Sequence, residues 1–416
     1  MWVRILQIGT YPIQPRTHGG QRRVGAILDG YRRHGIDAQY VPFFVADNYP
    51  TGRNGSAILA GPQTLAKIAR QPLFEDLILG EGLDDDSEAC AQFLKLYREC
   101  RPDALQFEQP FLWAAVKRLR ESGFLPLTPV IYSSQNVECR MKEEIYARSL
   151  PPAEREPALL RLRALEEDLS QHAQLVIAVT EADARRFREM GARHCVVVRN
   201  GHDRRQPSPA AVARWREQLF DGWLRGYAFF VSSYHQPNFY GFDELVGPSL
   251  GYIPPDGRII VAGGVTGLLS QHERYSSASP VNGSRLHLIT GAVSDDDMAA
   301  LLHLARAILL PITSGGGSNL KTVEALFSGR PIVASSYAFR GYEECASLPR
   351  VHLCDSPAEF HASVQRLLTQ PLAPAEPAQE TWDDALDRLT WPALTDSLVP
   401  QVRAALEPAQ LCASNA

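Results

Sequence analysis

Short apolar runs alternate with segments of helical period along nearly the whole chain, and the series restarts once, after a polar stretch over residues 200–209. Residues 3–8 are mainly apolar and β-branched and are followed by Gly9, which suits a strand buried on both faces, as strands are in parallel sheets. Residues 38–44, 104–107, 130–133, 175–179 and 195–198 read the same way in the first half. Their counterparts in the second half are 228–232, 258–262, 286–289, 307–310, 331–334 and 351–353. Helical patterns fill the gaps. Residues 21–34 put Val24, Ile27, Leu28 and Tyr31 on one face, the longest pattern covers 154–172, and Thr180 with Asp183 forms an N-cap. Residues 270–284, rich in Ser, Gly and Asn, read as a loop, and the chain turns helical again from Thr381. Parallel strands need long crossovers, so this alternation predicts a doubly wound α/β sheet in each half. A chain of 416 residues suits two domains of ~200 residues joined by the polar stretch. Ligands of such sheets bind beyond the carboxyl ends of the strands, so chemistry is expected in a cleft between the two domains.

Composition narrows the class further. Hydrophobic residues make up 45% and charged residues 21%, the balance of a folded rather than a disordered chain. With 42 basic and 47 acidic side chains the net charge is -5, which lacks the positive field a nucleic-acid-coating protein needs. The 7 cysteines include no C-x-x-C pair and fit free thiols in a reducing compartment. The 11 histidines show no H-x-x-x-H or H-E-x-x-H spacing, so no catalytic metal is expected. The first apolar run is too short for a secretory signal core, and nothing approaches the ~18 apolar residues of a membrane span. A soluble cytoplasmic protein is the expectation. Arg16, Arg22, Arg23, Arg32 and Arg33 cluster around the first predicted helix, as a solvated face or as a contact for anionic lipid headgroups or an anionic acceptor.

The most informative segment is Ile308-Leu-Leu-Pro-Ile-Thr-Ser-Gly-Gly-Gly-Ser-Asn-Leu-Lys-Thr-Val-Glu324, a buried strand running through three glycines into a helix expected to start near Ser318. Glycine lets backbone N–H groups approach a ligand closely, and a helix N-terminus favours an anion. Lys321 falls in the first turn and is the only lysine beyond Lys142. Glu324, one turn on, can accept two hydrogen bonds from a ribose diol. Taken alone, the triple glycine favours a tight strand–helix turn with Lys321 and Glu324 in water. Asn238 reads as a helix cap. Asp84-Asp85-Asp86 and Asp295-Asp296-Asp297 read as acidic helix starts. No G-x-G-x-x-G follows the first strand of either half, which makes hydride transfer a poor fit.

Taken in order, these segments resemble nucleotide-sugar-dependent glycosyltransferases of family 4, which have the GT-B fold. Tyr11-Pro12 with Gly19-Gly20 is similar to the family's diglycine loop, and Pro102-Asp-Ala-Leu-Gln-Phe-Glu-Gln-Pro110 to the strand whose tip faces the donor sugar. Ser133-Ser-Gln-Asn-Val-Glu138 resembles the His-Asn-Val-Glu segment, and Val198-Arg-Asn-Gly-His-Asp203 the Asn-Gly-Val-Asp turn. Phe230-Val-Ser-Ser-Tyr-His-Gln-Pro-Asn238 resembles the opening of the second domain, and Thr290-Gly-Ala-Val-Ser-Asp295 the Gly-x-Val turn.

The resemblance implies two Rossmann-like parallel-sheet domains facing a central cleft. Residues 1–203 would form the acceptor side, 204–385 would hold the nucleotide sugar, and 386–416 would be helices packing back on the first domain. It implies transfer of a sugar, with retention, from a nucleoside diphosphate to a glycan or lipid-linked acceptor. The setting it implies is bacterial surface polysaccharide synthesis, in the cytoplasm or peripherally at the inner face of an anionic membrane. Gly291 and Val293 would meet the base, Glu324 the ribose, and Gly19 and Gly20 the diphosphate. Lys321 and the amides of Gly315, Gly316, Gly317 and Ser318 would stabilise the leaving diphosphate without a metal or other cofactor. Asn319 and Gln135 are expected among the substrate-binding groups. Glu108 stands where relatives often carry a histidine, and either serves the donor sugar or is a surface strand-end carboxylate. Gln135 replaces the histidine of its segment, and Gly316 stands where relatives often have the first of two glutamates. The alternatives to transfer on this fold are sugar-nucleotide epimerisation and catalytically silent sugar-nucleotide binding.

Overall fold

The apolar runs of the sequence all become strands of two parallel sheets. The structure, a computed structural model, describes residues 3–16, 18–49, 56–220, 222, 224–276, 279–370 and 379–413. The chain divides into two compact units, Met1–Arg199 with Trp391–Ala416, and Asn200–Thr390.

The first unit holds strands β1 (Arg4–Gly9), β2 (Asp37–Phe44), β3 (Ile58–Leu59), β4 (Ala104–Phe107), β5 (Val130–Ser133), β6 (Leu175–Ala178) and β7 (Cys195–Val197). They form one sheet in the order β3-β2-β1-β4-β5-β6-β7. Every residue of β4, β5 and β6 is buried, because helices cover both faces, and this is why these strands read as unbroken apolar runs. β1 and β4 each break the run with a glutamine, and the register places Gln7 opposite Gln106. Helix Trp391–Ala413 returns to this unit and lays Leu398, Val399, Val402 and Leu406 into a core shared with Val24, Ile27, Leu28 and Tyr31 of helix Gly19–Arg33. Arg33 and His34 both reach Asp396 of that helix, at 3.2 and 2.8 Å.

The second unit holds β8 (Gly226–Val231), β9 (Gly257–Ala262), β10 (Leu286–Ile289), β11 (Ala307–Leu310), β12 (Ile332–Ala334) and β13 (Val351–Leu353), in the order β10-β9-β8-β11-β12-β13. Residues 200–209, read as a linker, are tied into this unit. Arg204 pairs with Asp383 and Asp387, Arg205 with Asp295, and Ser208 with Asp296. His202 N donates to Leu389 O at 3.0 Å, so the segment entering the unit runs beside the one leaving it.

Three local expectations are corrected. Residues 270–284 contain a short helix, Pro280–Arg285, held by buried Asn282, which accepts from Leu250 N and donates to Pro248 O and Arg274 O. Asp84 and Asp85 end a helix instead of starting one, and pair with Arg118 and Lys67; Asp86 alone caps the next helix. The five arginines around the first helix do not form one solvated face. Arg23 is 1% exposed, Arg16 pairs with Asp29, and Arg32 donates to Ala38 O. Among the described residues no helix is long and apolar enough to cross a membrane.

Candidate functional site

In the second unit the strand order reverses between β8 and β11, so the loops leaving their carboxyl ends diverge and open a crevice. Both loops carry groups into it. β11 runs through the glycines into helix Leu320–Phe327, capped by Asn319, whose side chain accepts from Lys321 N at 3.2 Å. Lys321 Nζ donates to Asn238 Oδ1, on the β8 side, at 2.6 Å. No other acceptor bonds Nζ among the described residues. Burial lowers the amine to about 8, while the charge of Glu324 works the other way.

The glycine loop is clamped by its carbonyls. Tyr337 donates to Gly315 O at 2.6 Å, and Arg340 donates through Nη2 to Gly316 O at 2.7 Å and through Nε to Gly317 O at 2.6 Å. The Arg340 guanidinium lies 4.4 Å over the Tyr337 ring, and its Nη1 is buried without a partner among the described residues. Gly315 and Gly317 have φ of 122° and 60°, a left-handed backbone that side chains resist. Among the described residues no acceptor takes the amides of Gly315, Gly316, Gly317 or Ser318. With the carbonyls tied off, the loop presents donors. Ser318 is buried against Asn200, whose Nδ2 donates to Ser318 O at 3.1 Å, and Tyr342, which donates to Asn200 O at 2.7 Å.

Glu324, one turn beyond Lys321, is partly exposed and lies 3.8 Å from His202 Nε2; the His202 ring packs on Phe327. Gly291 and Val293 sit apart, on the loop after edge strand β10, two strands from β8. Gly291 is exposed with φ 97° and open space around it, while Val293 is half-buried against the core.

In the first unit the strand order reverses between β1 and β4. Gly19 and Gly20 open the helix after β1, capped by His18, whose Nδ1 accepts from Gln21 N at 3.4 Å. Burial lowers His18 to about 4, which keeps the ring neutral and able to accept. A side chain at Gly20 would meet the Tyr11 hydroxyl and come within 2.6 Å of Gln135 Oε1. Gln135 Nε2 donates to the Tyr11 hydroxyl and, at 3.4 Å, to Glu108 O. The structure thus brings Gly20, Tyr11, Gln135 and the backbone of Glu108 together.

The Glu108 carboxylate itself is turned inward. It is 0% exposed, so the reading as a surface strand-end carboxylate is wrong. Oε1 accepts from Gln106 at 2.7 Å and Gln7 at 3.0 Å, and Tyr31 donates to Gln106 Oε1 at 2.8 Å. Among the described residues, Oε2 and the neighbouring Ser133 Oγ lack a hydrogen bond of ordinary geometry. Burial pushes the carboxyl up to about 7, against the pull of Gln106, Ser133, Arg23 and Gln7.

Solved structures share this architecture at low identity. Sucrose-phosphate synthase (tll1590) from Thermosynechococcus elongatus superposes with a TM-score of 0.69 at 16% identity, over 98% of this chain and 100% of that one. Anabaena Alr3699/HepE in complex with UDP gives 0.64 at 14%, over 97% and 100%, and its complex with UDP-glucose 0.65 at 14%, over 96% and 99%. In the sequence itself, the Glycosyl transferase 4-like domain matches residues 18–201, and the Glycosyl transferases group 1 domain follows over 229–370. The chain belongs to the GT-B glycosyltransferases. A search of curated proteins finds no significant match.

Two groups of this glycosyltransferase have partners that differ from the sequence reading. Asn238 is not a cap, because His235 holds the cap position of helix Gln236–Leu245. Arg23 donates from inside the first unit to Val198 O at 2.7 Å. The paired glutamines of β1 and β4 were a usable signal for the buried Glu108 network, since a lone polar residue at matching register in two apolar strands needs a shared partner. For Asn238 no such signal existed. Among the described residues, no three His, Cys, Asp or Glu side chains stand together as a metal-binding group.

Proposed function

We propose that this glycosyltransferase moves a sugar, with retention, from a nucleoside-diphosphate donor to a glycan or lipid-linked acceptor without a metal ion, as in building a bacterial surface polysaccharide. The observation that carries this reading is the β11 loop, where a half-buried ammonium with one neutral acceptor belongs to the same strand–helix turn as four amides that are unpaired among the described residues. Such a site lowers the energy of the charge that grows on a departing diphosphate, usually the largest catalytic contribution. It supplies donors and positive charge, which fits a reaction in which the leaving phosphate oxygen takes the acceptor's proton on the face it departs from. In the second unit Glu324 would bind the ribose, and Gly291 and Val293 the base; in the first unit Gly19, Gly20 and Gln135 would bind substrate. Because the Anabaena neighbour is seen with UDP and UDP-glucose, a UDP-sugar is the first donor to try.

Lys321→Ala is expected to lower kcat by ~10²–10³ with a modest rise in donor KM, because the charge it meets is larger in the transition state than in the bound donor. Activity is expected to survive exhaustive chelation. Complete loss with EDTA, restored by Mg²⁺, would overturn the metal-free reading, and near wild-type kinetics for Lys321→Ala would overturn the role of Lys321.

A further inference from the structure

Asn238 is the third residue of its helix, and its carboxamide is oriented from both ends. Nδ2 donates to Ser233 O at 3.0 Å and approaches Ser233 Oγ at 3.4 Å, while Oδ1 accepts from Lys321 Nζ at 2.6 Å. A carbonyl only accepts and an ammonium only donates, so the flipped amide would be wrong at both contacts. The backbone is held as well, with Asn238 N on His235 O at 3.0 Å. The side chain therefore ties the loop after β8 to the first turn of the helix after β11, across the crevice where the strand order reverses.

We propose that Asn238 is a positioning residue, holding the Lys321 ammonium in place for an incoming diphosphate. This rests on the reading of Lys321 given above and adds how its charge is placed and kept. A lysine side chain is flexible, and a single fixed acceptor removes much of that freedom before the ligand arrives. The acceptor is neutral, and that matters. An aspartate of the same shape would hold the ammonium too, but would cancel the charge the diphosphate needs and set a carboxylate against Ser233 O. Glu324 bears on Lys321 through its field and, among the described residues, makes no hydrogen bond to Nζ.

The test is a double-mutant cycle on the full chain. Wild type, Lys321→Ala, Asn238→Ala, Asn238→Asp and the Lys321→Ala/Asn238→Ala pair are titrated calorimetrically with UDP, GDP and ADP. Turnover is followed with UDP-glucose, GDP-mannose and ADP-glucose. Asn238→Ala is expected to weaken nucleotide binding and turnover roughly 5- to 10-fold in the wild-type background and less than about 2-fold when Lys321 is already alanine, since contacting residues are non-additive. Asn238→Asp, nearly isosteric and so least disturbing to the fold, is expected to be worse than Asn238→Ala. Equal losses in both backgrounds, or an active Asn238→Asp, would overturn the inference and leave Asn238 as part of the helix start. A Lys321→Ala variant that binds and turns over normally removes the parent reading and this inference together. A severe Lys321→Ala with an additive Asn238→Ala removes this inference alone.

Discussion

Gln7, Gln106, Glu108, Tyr31 and Arg23 form a buried polar cluster where the strand order of the first sheet reverses. A carboxylate in such a place is costly unless hydrogen bonds replace its water, and here two amide donors converge on one oxygen. Burial still dominates, and Glu108 is pushed up to about 7. Its folded-state value then lies above the unfolded value near 4.5, so the folded protein binds the extra proton between those limits. The contribution to stability is fully present below about pH 4.5 and is lost as pH rises to about 7. Denaturant titrations of wild type and Glu108→Gln across pH 4.5–8 should show the wild type losing stability over that window relative to the variant. Parallel curves would mean that Glu108 titrates as an ordinary surface carboxylate.

The glycine loop is an element whose shape is imposed from outside. Gly315 and Gly317 permit the left-handed turns, but the direction of the peptide groups is set by Tyr337 and Arg340, which take all three glycine carbonyls. Tyr337→Phe deletes one hydrogen bond and keeps the ring under the guanidinium. Since Tyr337 is 38% exposed, the fold should hold, and nucleoside diphosphate affinity should fall about 3- to 10-fold, the worth of one bond of roughly 1 kcal/mol. Arg340→Lys removes the fork that serves two carbonyls and should cost more. Calorimetry with unchanged melting reads both, and wild-type affinity in Arg340→Lys would show that the loop keeps its shape unaided.

At the scale of the whole molecule, the chain leaves the first unit after Arg199, completes a second sheet, and returns at Trp391 to finish the core it left. The returning helix is part of that core, since Leu398, Val399, Val402 and Leu406 are all nearly or fully buried. Leu398→Ala should cost ~2–5 kcal/mol, the range for a large-to-small change at a buried site. For a unit of this size that is roughly a 4–20 °C fall in melting temperature, followed by circular dichroism. An unchanged melting curve would show the helix to be an appendage.

The fold class was legible because strands buried on both faces must be apolar along their length, and that pattern is local. β3 was not, because two residues make no run, and neither was helix Pro280–Arg285, whose Ser, Gly and Asn residues carry no apolar period. The glycines, Lys321 and Glu324 were visible as a linear segment for a similar reason, since the anion-binding turn between a strand and a helix is continuous in the chain. What those residues touch was decided by tertiary structure. Asn238 meets Lys321 across 83 residues of sequence, Arg23 meets Val198 across 175, and Glu108 turns inward to a glutamine 101 residues away. Periodicity reports which face of an element is buried, but a polar side chain's partner depends on which strands become neighbours. In both sheets that neighbour relation changes where the strand order reverses; the Asn238–Lys321 and Glu108–glutamine contacts lie there, while Arg23 reaches the end of edge strand β7.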